Sequence, residues 1–110
     1  MADYTALINN IKRSEAAYRI YSKHPNYHHA LHIFHANKKV YTCLNDLLEL
    51  EVMNKEVSIK VFDYLFHLED WFLQFSALEK KVENIEDRFS FDSLKNSIPY
   101  PSNFLESIRK

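Results

Sequence analysis

A chain of 110 residues fits one domain, long enough to bury about two-thirds of its unfolded surface. Apolar residues make up 46% of it, aromatics 15%, and the net charge is −1, which excludes a disordered segment and offers no global attraction for nucleic acid. The absence of glycine removes the P-loop, the dinucleotide-binding fingerprint and the nucleophile elbow, all of which need glycine for close backbone approach or positive φ.

Cys43 is the single cysteine, so there is no internal disulfide, and a reducing cytoplasm is the expected location. The longest uncharged run, residues 24–37, holds five histidines and reads as neither leader nor anchor. No membrane span is expected. Charge is uneven: residues 1–39 carry six Lys/Arg against two acids, and the remainder eight against thirteen. Helices of opposite charge lying side by side would account for this, with a basic docking face as the alternative.

The first helix is expected from a cap at Asp3 to about Ser22. Its apolar stripe is Tyr4, Leu7, Ile8, Ile11 and Tyr18, with Lys12, Arg19 and Lys23 on the other side. The junction His24-Pro25-Asn26 breaks it: proline disfavours α for the residue before it, and Asn26 is a good N-cap for a second helix. That helix is expected from about Asn26 to Val52. Its stripe is Tyr27, Leu31, Phe34, Tyr41, Leu44 and Leu48, widened by Ile33, Val40 and Leu47. Met53-Asn54-Lys55 reads as a turn, and the third helix as running from about Lys55 to Lys81. The second and third helices, about 40 Å each, would form an antiparallel hairpin. Beyond Val82, "ENIEDR" reads as a charged connection. "SFDSLKNS" reads as a short helix, "IPYPS" as extended, and "SNFLESIRK" as a terminal helix. This tail carries Phe89, Phe91, Leu94, Ile98, Tyr100, Phe104, Leu105 and Ile108, and an apolar tail is expected to dock on the body.

Four of the six histidines fall in "NYHHALHIFHANKK". At about 100° per residue, His28, His32 and His35 share a narrow sector with Lys39, Thr42 and Asp46, roughly opposite the apolar stripe. They therefore read as a solvated face, with His29 nearer the core boundary. His28, His32 and His35 are weak candidates for a metal, because the nearest acid of that face, Asp46, lies three turns from His35 and Lys39 repels a cation. No metal or other cofactor is expected. Glu69 and Asp70 are adjacent and diverge by about 100°, so they make no acid–base pair. Cys43 reads as semi-buried at a helix flank. His67, with Asp63 and Asp70 at i−4 and i+3, reads as a surface His–carboxylate cluster.

"RIYSKH" (Arg19 to His24) resembles the R-x4-H motif of the HEPN ribonucleases, an all-helical and often dimeric family. The resemblance would make Arg19 and His24 catalytic. In that family, however, the motif opens a late helix; here it closes the first one and runs into proline. Size, helical hairpin and the "SKHPNY" junction resemble the small four-helix immunity proteins that protect bacteria from their own bacteriocins. That likeness carries no functional residue across.

The third helix is apolar on two sides. One stripe, Val57, Val61, Tyr64, Leu65, Leu68, Trp71, Phe72, Phe75 and Leu78, suffices as a core face. A second set, Ile59, Phe62, Phe66 and Leu73, points roughly the other way. Two narrow polar strips separate them, Asp63, His67, Asp70 and Gln74 on one side, Ser58, Glu69 and Ser76 on the other. A helix apolar on two sides is covered on two sides, by the tail or by a second chain.

The expected fold is all-α: one domain spanning 1–110, an antiparallel bundle of three main helices plus a short C-terminal helical segment, with the tail 83–110 docked. The expected function is a small non-enzymatic interaction protein, homodimeric through Ile59, Phe62, Phe66 and Leu73 and binding another protein. The alternative is a helical bundle holding a small apolar ligand in a pocket lined by Tyr41, Tyr64, Trp71, Phe72 and Phe75. A HEPN-like ribonuclease is third.

Overall fold

The computed structural model describes residues 4–49 and 55–90. It contains three helices, α1 (Thr5–Lys23), α2 (Tyr27–Glu49) and α3 (Lys55–Glu79), and the fold is all-α. Among the described residues there is no strand, only a lone bridge pairing Asn26 with Arg88. Asp3, residues 50–54 and the tail segments "FDSLKNS", "IPYPS" and "SNFLESIRK" lie outside the described residues. No described helix is long and apolar enough to cross a membrane.

The junction forms as the sequence chemistry requires. His24 leaves the helical region, with φ −140° and ψ 82°, because Pro25 follows it. Its N–H still closes α1 on the carbonyls of Ile20 and Tyr21. Asn26 then caps α2: its Oδ1 accepts the N–H of His29 at 2.9 Å, and its carbonyl accepts Ala30 N–H.

Partners on α1 and α2 run in opposite order along the chain. Asn10 Nδ2 donates to Cys43 Sγ at 3.2 Å, and Ser14 Oγ donates to Asn37 Oδ1 at 2.6 Å. On α3, Glu69 accepts from Tyr41 of α2, and Glu79, ten residues on, accepts from Tyr27. The core divides along this rod, whose principal extents are 46 × 23 × 21 Å. At one end Leu7, Ile11, Val40, Leu44, Leu47, Val57, Val61, Tyr64, Leu65 and Leu68 pack together. At the other, Tyr21, Ala30, Ile33, Trp71, Phe75 and Phe89 form a largely aromatic cluster.

Phe89 belongs to the segment after α3, which clips the α1–α2 junction. Tyr27 N–H donates to Asp87 O, His28 N–H to Ile85 O and Phe89 N–H to Pro25 O. Tyr21 Oη donates to Phe89 O. Phe89 itself is buried against Phe75, with ring centroids 4.9 Å apart.

Three sequence expectations require correction. Tyr18 is 52% exposed, and Tyr21, three residues on, takes the core position next to the junction. On α2 the buried line is Ala30, Ile33, Asn37, Val40, Leu44 and Leu47, so the residues read as widening the stripe are its centre. Tyr27, Leu31, Phe34, Tyr41 and Leu48 are half-buried at its edge. Finally, His67 is buried, not on the surface. Buried Tyr64, Leu68 and Trp71 surround it at i−3, i+1 and i+4, and its ring meets that of Tyr64 edge-on at 6.4 Å.

Candidate functional site

Two surfaces hold the interface and metal candidates singled out by sequence. The first is the outer face of α3. Its core stripe is complete without them: Val57, Val61, Tyr64, Leu65, Leu68, Trp71 and Phe75 are all buried. Ile59 is 54% exposed, Phe62 44%, Phe66 48% and Leu73 73%. Helical spacing confines these four to a sector about 60° wide. Phe62 and Phe66 stack on each other with centroids 6.1 Å apart. Asp63 and Glu69 are exposed beside them.

Around the rim of α3, two tyrosines of α2 bridge to its carboxylates. Tyr41 Oη donates to Glu69 Oε1 at 2.8 Å, and this bond raises the phenol's pKa above its ordinary value. Tyr27 Oη donates to Glu79, and its pKa is pushed up to about 12, first by that bond, then by burial and by the Glu79 charge. Lys38 Nζ lies 4.5 Å from the centroid of Phe72 and 5.4 Å from that of Phe34, a cation–π arrangement at the α2–α3 seam.

Of the residues considered for a ligand pocket, Tyr64, Trp71 and Phe75 are packed into the core, Tyr64 in one cluster and the other two in the second. Trp71 and Phe75 stack with centroids 5.1 Å apart. Tyr41 and Phe72 meet edge-on at 5.8 Å and line an open surface groove of about 370 Å³ with Lys38, Glu69, Leu73 and Ser76.

The second surface is the histidine row. His28 and His32 meet edge-on at 4.9 Å, and His29 lies 5.4 Å from His28 and 6.5 Å from His32. His35 does not join them; its ring turns to Phe34 at 5.7 Å. Among the described residues no group of three or more His, Cys, Asp or Glu side chains is placed to hold a metal ion. His29 Nδ1 lies 2.8 Å from His24 O. A carbonyl only accepts, so Nδ1 carries the proton. Across from the row, Arg13, Ala16, Ala17 and Ile20 of α1 complete a groove of about 410 Å³ with His28, His29 and His32. His28, His32 and His35 are exposed, on the wet face expected of them. The groove beside them was not legible in sequence, because it exists only where α1 and α2 meet and the two alanines that line it carry no signal of their own.

Arg19 and His24, the R-x4-H pair, are both exposed at the end of α1, and the His24 carbonyl is occupied by His29. Cys43 is half-buried and accepts the Asn10 hydrogen bond. Compared with known proteins, the chain matches no family model, no curated protein and no solved structure.

Proposed function

We propose that this chain is a small, non-enzymatic cytoplasmic interaction protein whose working surface is the outer face of α3. In this reading the helices form an antiparallel bundle, the tail 83–110 docks on its body, and the occupant of the α3 face is a second copy of the chain. The observation that carries it is the exposure of Ile59, Phe62, Phe66 and Leu73 on a helix whose core side is already full. Monomers seldom leave a contiguous apolar strip of this kind in water. Positions 59, 62, 66, 69 and 73 alternate by three and four, the spacing of a helix–helix seam, with Glu69 its one polar member. That carboxylate is engaged by Tyr41, which reduces its penalty within the seam. At about 25 cal/mol per Å², four such side chains from each of two copies supply several kcal/mol against the entropy of association.

The test is sedimentation equilibrium at tens of micromolar on wild type and Phe66→Glu. A charge placed in the seam costs several kcal/mol if it is desolvated. The wild type should therefore be dimeric and the variant monomeric with unchanged helicity. A monomeric wild type whose Phe66→Glu variant melts earlier assigns the face to the chain's own tail and ends the dimer reading. The runner-up function, a small apolar ligand, rests on the groove beside Tyr41 and Phe72. It predicts a co-purified compound detectable by mass spectrometry.

A further inference from the structure

We infer that the groove between α1 and α2 is a binding site for a free, single-chain amphiphile with an anionic head, and that acid strengthens this binding. The inference stands apart from the α3 face and does not depend on it.

From α1 the groove is lined by apolar Ala16, Ala17 and Ile20, the last 54% exposed. The rim is basic. Arg13 faces it from α1, and His28, His29 and His32 from α2. An apolar lining beside a guanidinium and three imidazoles is complementary to an acyl chain ending in a carboxylate, sulfate or phosphate. Size argues for a small molecule. From Arg13 to Ile20 the groove follows seven residues of helix, about 10 Å, whereas a stable protein interface covers about 800 Å² on each partner. The chain's own residues 91–110 carry Lys95, Arg109 and Lys110 against Asp92 and Glu106, the wrong sign for a basic rim.

The charges that surround the histidines are these. On α1 the other charges flanking the groove residues are Lys12, Arg19 and Lys23, all exposed cations, while Glu15 lies on the opposite side of the helix. On α2 the next turns bring His35 and Lys39, and at the junction the His24 ring sits 6.0 Å from His29. The segment after α3 touches the start of the row through the Ile85 carbonyl, which accepts His28 N–H. It carries Glu83, Glu86 and Asp87, but the Asp87 carboxylate is held by the N–H groups of Glu83 and Asn84. Imidazoles gain charge in the range between about pH 5 and 8. Protonation of three rings within 4.9–6.5 Å of each other concentrates positive charge that a bound anion relieves.

The experiment is isothermal titration of the full chain with octyl sulfate, which stays anionic throughout, below its micelle concentration at about pH 5.5 and pH 8. Octyl sulfate should bind about tenfold more tightly at the lower pH, the sum of three modest exposed charge interactions. The neutral analogue octyl glucoside should show no such difference. His28→Gln with His32→Gln should remove most of the pH dependence at unchanged circular dichroism, and Arg13→Gln should weaken binding at both pH values. Phe66→Glu should leave binding intact; if it abolishes binding, the ligand sits on α3 and the inference fails. Equal affinity at both pH values, or no binding at either, overturns it. So does co-sedimentation with phosphatidylserine vesicles in place of octyl sulfate binding, which would make the surface a membrane contact.

Discussion

At the residue scale, two hydrogen-bonded side chains make the protein's stability depend on pH at opposite ends. The Tyr27 phenol ordinarily loses its proton near 10.0 and here near 12. Between those values the folded chain keeps a proton that the unfolded chain releases, so rising pH favours unfolding. The contribution is whole below about pH 10 and gone above about 12. Tyr27→Phe should flatten the alkaline decline of the urea midpoint across that window. Asp87 shows the reverse case. The N–H groups of Asn84 and Glu83 hold its pKa below the ordinary 3.8, so its contribution is present above that value and is lost as pH falls further. Asp87→Asn should begin acid unfolding from a lower starting stability and lose less on the way down, as read by circular dichroism against pH. Buried Asn37 offers a third test. Ser14→Ala leaves its Oδ1 without the 2.6 Å donor and should cost about 1–3 kcal/mol, while adding Asn37→Leu should recover much of that loss.

At the element scale, α3 shows how one helix can be read from sequence on both faces. Phe75 is fully buried and Leu73, two residues away, is 73% exposed. Phe75→Ala should therefore lower stability by about 3–5 kcal/mol. Leu73→Ala should shift it by no more than about 0.5 kcal/mol in urea unfolding run dilute enough to keep the chain monomeric. The periodicity of α3 was legible because a wide run of large side chains fixes the phase of the stripe. On α2 the phase was less clear. Small Ala30 and polar Asn37 lie on its buried line, and neither advertises burial, so the large Tyr27, Phe34 and Tyr41 drew the stripe toward its edge. Tyr18 and Tyr21 on α1 are chemically equivalent in sequence. Tyr21 turns inward, where it packs in the aromatic cluster and its hydroxyl donates to Phe89 O, contacts that local sequence does not show. His67 was misplaced for a related reason: its polarity outweighed the apolar positions 64, 68 and 71 around it. The Asn26 cap and the break at His24-Pro25 were readable because capping chemistry is local. The histidine groove was not, since it exists only where two helices meet.

At the scale of the whole molecule, the two clusters occupy different ends of a 46 Å rod, and the clip serves only one of them. Phe89 joins Tyr21, Tyr27 and Phe75, and its backbone secures Pro25 and Tyr21. The segment thus closes the aromatic end after all three helices have been laid down. The opposite end, built on Leu7, Leu44, Val61 and Leu68, meets the aromatic end through Phe72, which packs against both clusters. Removing the Phe89 ring leaves a cavity worth about 3–5 kcal/mol. If the rod opens in parts, that cost falls on one part. Native-state hydrogen exchange on Phe89→Ala should then show amides near Tyr27, His28 and Ala30 losing most of their protection, while those near Leu44 and Leu65 keep theirs. Equal losses at both ends would show that the clip holds the rod as a single cooperative unit.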